Sequence, residues 1–139
     1  MNTNTKKAKT IILSITLSFA FVFILLGSLL TAKVFDNSTT LYLNSYQSNY
    51  NAKYGETYCY DSYNSYHGYY LLYVDGASLF YAKNESSGDT LSYNTYGYNK
   101  SYNSYTYDYC YEVYLSSYTD YEFTIKATSS NTRVLIVRK

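Results

Sequence analysis

The chain of 139 residues contains no proline, no tryptophan, one histidine and two cysteines. These scarcities close off several kinds of chemistry. A Ser-His-Asp triad needs a serine and a carboxylate gathered about an imidazole. The one histidine, His67, stands in a Ser65-Tyr66-His67-Gly68 stretch that reads as a solvated turn. The nearest approach to a nucleophile elbow, Gly76-Ala77-Ser78-Leu79-Phe80, lacks the second glycine. One histidine and two cysteines do not make a standard zinc site. An enzyme is therefore not expected, and neither a cofactor nor a bound metal is implied. Glu85, Asp89 and Asp75 offer carboxylates near one loop, but they match no calcium-loop pattern and read as solvated acids.

Clustered positive charge is also missing. From Asp36 onward ten acids face seven bases, a net charge of −3. Phosphate backbones are bound by grouped lysines and arginines, so nucleic acid is excluded as a partner.

Acids are absent from the first 35 residues. Lys6, Lys7 and Lys9 precede an uncharged run from Ile11 to Leu30. As a helix that run is about 30 Å long, enough to cross a bilayer. Lysines before it hold that end in the cytoplasm and place the rest outside. Three regions follow: a basic cytoplasmic start (1–10), a signal peptide or signal-anchor helix (11–32) and an extracytoplasmic tyrosine-rich domain (33–139). The run suits a membrane-anchored protein, inserted through residues 11–30. The alternative is secretion after cleavage near Ala32, where Leu30 is larger than a cleavage site prefers.

Export makes a Cys59–Cys110 disulfide the expected state. The two sit in matching settings, Tyr58-Cys59-Tyr60 and Tyr109-Cys110-Tyr111, as on neighbouring strands. Closing a loop of that length is worth about 4 kcal/mol in the chain-entropy model. The alternative is two separate buried thiols.

What the chain has in abundance is tyrosine, 23 residues, all between Tyr42 and Tyr121. Tyr105, Tyr107, Tyr109, Tyr111, Val113 and Leu115 alternate with mostly polar residues, the pattern of a strand with one buried face. Tyr121, Phe123, Ile125 and Ala127 form a second such face, with Ser116 to Asp120 as a hairpin loop between the two. Val134 to Val137 is apolar on both faces and reads as a mid-sheet strand or an interface. Tyr69 to Val74 and Ala77 to Ala82 flank Asp75-Gly76, a strong two-residue hairpin signal. Lys83 to Asp89 reads as a surface loop, Thr90 to Tyr93 as a short strand, and Asn94 to Asn103 has no clear pattern. The expected fold is all-β, an antiparallel β-sandwich or jelly roll behind one N-terminal helix.

Tyr69, Tyr70, Tyr73, Tyr105, Tyr107, Tyr109, Tyr111 and Tyr121 are the expected core tyrosines. Tyr42, Tyr46, Tyr50, Tyr54 and Tyr58 recur every four residues in an extended or irregular stretch rich in Asn and Ser. More tyrosines are present than a core of this size can hold, and an exposed aromatic patch marks an interaction site. Tyr, Ser, Asn and Gly together also form adaptable binding surfaces. The candidate binding residues are therefore Tyr42, Tyr46, Tyr50, Tyr54, Tyr63 and Tyr66. The competing account is AT-rich coding, which enriches Tyr, Asn, Lys and Ile without functional need.

Gly68 to Val74, Ser78 to Leu91, and Tyr109 to Tyr114 followed by Tyr121 to Ile125 resemble, in order, pieces of the bacterial pre-peptidase C-terminal domain and related jelly-roll modules. The resemblance implies a non-catalytic β-sandwich of secreted or surface proteins, binding polymers or assisting secretion. The family's glycine before its closing strand pair is replaced near Asp108, and its aspartate-rich middle is missing, which leaves a calcium role without support. The functional expectation is a surface module holding a polysaccharide or a protein partner on exposed tyrosines. The alternative is a self-associating subunit of a surface layer, matrix or filament, pairing through the strand Arg133 to Arg138.

Overall fold

The computed structural model describes residues 38–139, which form nine strands: β1 (Thr39–Thr40), β2 (Gln47–Asn49), β3 (Thr57–Asn64), β4 (Gly68–Asp75), β5 (Ala77–Asn84), β6 (Tyr93–Tyr102), β7 (Tyr105–Leu115), β8 (Thr119–Ala127) and β9 (Thr132–Arg138). The basic start and the apolar segment expected at 1–10 and 11–32 lie outside the described residues. Among the described residues no helix is long and apolar enough to cross a membrane.

Two sheets result, with strand orders β1-β3-β8-β5 and β2-β9-β4-β7-β6. Their inner faces share one core. Tyr60, Ala77, Leu79, Tyr121, Phe123 and Ile125 come from the first sheet, and Tyr70, Leu72, Val74, Tyr111, Val113, Leu115, Val134 and Ile136 from the second. The all-β expectation holds, and the face-to-face layers are those of a sandwich.

Both expected hairpins are in fact crossings between sheets. β4 and β5 lie in different sheets, as do β7 and β8. A two-residue type I′ turn needs positive φ at both central residues, but at this corner only Gly76 has it, at 64°. Gly76 instead makes long-range bonds. Its N–H donates to Asp108 Oδ2 at 2.9 Å, and its carbonyl accepts from Thr128 N at 2.8 Å. The two-residue hairpin that does form joins β6 to β7, where Asn103 and Ser104 have φ of 48° and 66°. It falls in and beside the stretch whose sequence has no clear pattern.

β9 pairs with β4 on one side and β2 on the other, so the mid-sheet reading of Val134 to Val137 holds. That pairing occupies Arg133 and Val134 on both sides and leaves Val137 and Arg138 paired to β4 alone. The edges of that sheet are the three-residue β2 and the longer β6. The register of β6 shifts between Thr95 and Gly97, Asn99 has a φ of 49°, and Lys100 is exposed. Irregularity and charge of this kind blunt an edge against pairing with other chains.

The disulfide expectation is overturned. Cys59 and Cys110 are both free thiols. Their tyrosine neighbours Tyr58, Tyr60, Tyr109 and Tyr111 join the shared core. Alternation then turns each cysteine outward, on opposite sheets. Cys59 sits 3.5 Å from the Thr124 hydroxyl. Cys110 is buried in a second apolar cluster with Leu71, Tyr73, Tyr107, Leu135 and Val137. The matching Tyr-Cys-Tyr settings record matching alternation, not proximity.

The same outer cluster splits the tyrosine series of β7. Tyr109 and Tyr111 pack with the shared core, while Tyr105 and Tyr107 belong to the outer cluster. Tyr69 is another departure from the expected core set. It is exposed and meets Tyr114 edge-on across the strand pair, with centroids 5.3 Å apart.

Candidate binding site

The start of β9, the start of β7, the end of β6 and the segment 44–50 meet on one side of the second sheet. Leu41 is buried in the core, Leu43 bridges to Ile136, and Asn44 N donates to the Ile136 carbonyl at 2.9 Å. These contacts lead the chain along the edge of β9, where β2 pairs with it, and bring Tyr46 over Arg133. The hairpin turn at Asn103-Ser104 sets Tyr102 opposite Tyr105.

Arg133 lies between two rings. Its guanidinium carbon is 3.7 Å from the Tyr46 ring centre and 3.9 Å from that of Tyr105. Partly desolvated stacking of this kind is worth about 1–2 kcal/mol per ring. Arg133 Nε also donates to Ser48 Oγ at 3.3 Å. Tyr105 contacts Tyr107 edge-on at 4.8 Å, and Tyr73 lies 5.5 Å from Tyr102 and 5.4 Å from Tyr107. The outcome is a small aromatic platform on a floor of Leu135.

Two hollows adjoin on this platform. One, of about 250 Å³, is lined by Asn44, Ser45, Tyr46, Tyr102, Asn103 and Arg133, with Tyr105, Tyr107 and Leu135 beneath. The other, of about 300 Å³, is lined by Ser48, Tyr50, Asp75, Tyr105, Asn131, Thr132 and Arg133. The Tyr105 hydroxyl donates to Asp75 Oδ2 at 2.7 Å, and that bond, followed by burial, pushes its pKa up to about 12. Burial, then the neighbouring Cys110, pushes Tyr73 to about 12 as well. Burial also raises Tyr107, against a smaller opposing pull from Arg133. These rings stay protonated at ordinary pH, and with the Tyr105 hydroxyl committed to Asp75 they present chiefly π faces.

Of the six sequence candidates, Tyr46 and Tyr50 come together here. Tyr63 and Tyr66 line a different hollow, of about 120 Å³, at the opposite end of the sheets with Leu43, Tyr70, Leu115 and Ile136. Tyr42 and Tyr54 are exposed and line none of the three. The four-residue spacing is therefore not a stripe, since only Gln47–Asn49 and the start of β3 are strand within it. Arg133, Tyr102, Tyr105 and Asp75 are site residues that sequence reasoning passed over. Arg133 was legible only as the polar lead of an apolar strand.

The loop acids regroup too. Glu85 meets neither Asp75 nor Asp89; its carboxylate lies with Asp61 and Glu122, their oxygens within 4.8 Å of one another. Lys83 pairs with Glu122 at 3.4 Å. Burial first, then the charges of Asp61 and Glu122, raises the Glu85 pKa. A carboxyl whose folded pKa exceeds its unfolded value costs stability once pH rises through the folded value. Glu85→Gln is therefore expected to stabilise the domain at neutral pH by about 0.5 kcal/mol, a figure kept small because Glu85 is exposed. The gain should vanish below the carboxylate range, about pH 4. Denaturant midpoints of both forms at the two pH values check this; a gain that persists in acid would contradict it.

No family model, curated protein or solved structure matches the chain.

Proposed function

We propose that the domain is a non-catalytic, extracytoplasmic binding module, and that its ligand is a cell-surface or extracellular polysaccharide held on the Tyr46–Arg133–Tyr105 platform. The observation that carries this reading is the juxtaposition of π faces with Asn44, Ser45, Asn103 and Asn131 around two adjoining shallow hollows. A sugar ring offers apolar C–H faces and equatorial hydroxyls, and such a lining answers both. Extracytoplasmic placement is supported by the basic start and apolar run of the first 30 residues.

A jelly-roll reading of the fold is supported by strand alternation. Strands β2 to β5 pass from sheet to sheet at every step, and β2-β9-β4-β7 lies opposite β3-β8-β5. β6 departs by pairing with β7 instead of extending the sheet of β5. A module of that kind agrees with what the resemblance to pre-peptidase C-terminal domains implies.

Titration of the full-length chain in detergent against a glycan array tests the function. Tyr46→Ala is expected to weaken binding by about tenfold or more, about 1.4 kcal/mol. Tyr54→Ala, remote from the platform, should leave it unchanged. Glycan binding untouched by Tyr46→Ala would sink the site. Capture of a protein with no glycan bound would replace the polysaccharide by a protein partner.

A further inference from the structure

We infer that the platform selects acidic sugars, those bearing a carboxylate, over neutral ones, with Arg133 as the specificity-determining residue. This deepens, and rests on, the polysaccharide reading above.

The first ground is an unclaimed charge. Among the described residues the ion pairs are Lys83–Glu122 and Lys139–Glu112, and neither includes Arg133. Asp75 is the cross-strand partner of Arg133, yet its two oxygens are otherwise engaged. Oδ2 accepts from the Tyr105 hydroxyl at 2.7 Å and Oδ1 from Asp108 N at 3.3 Å. The carboxylate best placed to neutralise the guanidinium is thus bonded to β7, at Tyr105 and Asp108.

The second ground is orientation. Rings at 3.7 and 3.9 Å cover the guanidinium, and Ser48 holds Nε. The terminal amino groups of the fork remain, with the Tyr107 hydroxyl beside them as a neutral acceptor, on a plane held by the two rings. A planar carboxylate accepts two parallel hydrogen bonds from such a fork, and a fixed fork loses little entropy in making them.

The third ground is the asymmetry of the two hollows. The 250 Å³ hollow has Arg133 as its one charged lining residue, whereas the 300 Å³ hollow also carries Asp75. A ligand carboxylate belongs in the first, away from Asp75, with Asn44, Ser45 and Asn103 left to meet hydroxyls. The neighbouring neutral or hydroxylated portion of the sugar chain lies toward Tyr50 and Asn131. With a net charge of −3 from Asp36 onward, the domain offers no general field to attract an acidic polymer, so the selectivity is local to this one cation.

The test is calorimetric titration of the full-length chain in detergent with a uronic-acid oligosaccharide and with the same oligosaccharide after carboxyl reduction. The acidic probe should bind at least about tenfold more tightly, as one charge-assisted bidentate contact provides. Arg133→Gln should erase the preference, and Arg133→Lys, which keeps the charge and loses the fork, should reduce it several-fold. Tyr50→Ala should weaken both probes alike. Equal affinity of the wild-type chain for both probes would overturn the inference. So would a preference that survives Arg133→Gln in a variant with an unchanged denaturation midpoint. Should Arg133→Gln not fold, a preference undiminished in Arg133→Lys overturns it equally. If both probes bind equally and Tyr46→Ala weakens both, the polysaccharide reading stands and acid selectivity falls. If neither binds, both fall.

Discussion

Gly76→Ala is expected to destabilise the domain by about 3 kcal/mol or more, the sum of two separate penalties. Gly76 has a φ of 64°, and a side chain in the left-handed region costs about 1–2 kcal/mol. In addition, a Cβ at this position would collide with the backbone carbonyl oxygen of Asn131. Backbone atoms do not swing aside as a lysine tail does, so the β8–β9 loop must shift, at a typical overpacking cost of about 1–3 kcal/mol. The corner is also a junction of long-range bonds, from Gly76 N to Asp108 and from Thr128 N to the Gly76 carbonyl. Moving it disturbs Asp75, and with it the bond that steadies Tyr105. Urea denaturation should show the midpoint falling with little change in slope. A wild-type midpoint would mean that the corner is softer than the packing around it.

Tyr70→Ala should cost about 3–5 kcal/mol, whereas Tyr70→Phe should cost only about 1 kcal/mol. Tyr70 is 2% exposed and packs between the sheets. Removing its ring leaves a cavity bounded by rigid strands, which relax little. Its hydroxyl donates to the Tyr66 carbonyl at 2.7 Å beside the β3–β4 loop. The Asn64 amide donates to the same carbonyl and, at 2.8 Å, to that of Ser116. Phenylalanine forfeits one of these bonds and keeps the packing. Tyr54→Ala is the contrast, since Tyr54 is 82% exposed; a change within about 0.5 kcal/mol is expected. Denaturation of all three variants separates a tyrosine that replaces a core aliphatic from one that does not. Equal losses at Tyr70 and Tyr54 would refute the division.

Much of the strand content was legible because alternation is a local property. Tyr109 to Leu115 and Tyr121 to Ala127 each show a buried face in sequence, and each buries it. Val134 to Val137, apolar on both faces, sits between two strands. The pairing of those strands was not legible. Asp75-Gly76 has hairpin composition, but a glycine with positive φ serves an arch between sheets as well as a two-residue turn. Asp108, 32 residues away, takes the Gly76 N–H, and no short-range pattern reports it. The Cys59–Cys110 expectation fails for the same reason, because identical neighbours reveal which way a side chain points and not which sheet it points from.

The site was half legible. Tyr46 and Tyr50 stood out as rings in a polar stretch that no core strand claims. Tyr105 and Tyr107 were assigned to the inner face because strict alternation from Leu115 backward puts them there, yet both lie in the outer cluster with Tyr73. Arg133 looked like the end of a strand. Its placement between rings from positions 46 and 105 needs both the course of residues 44–50 along the edge of β9 and the β6–β7 turn.

By itself, then, the sequence determined that this chain is all-β, acidic beyond its basic start, poor in catalytic and metal-binding side chains, and supplied with more tyrosine than a core can hold. Composition and period-two patterning suffice for that, since they act residue by residue. Tertiary structure alone decided which tyrosines are core, that the cysteines stay apart, and that Tyr46, Tyr105 and Arg133 stack. Those outcomes depend on contacts between segments far apart in the chain, where many pairings satisfy the same local pattern and packing of the whole selects among them.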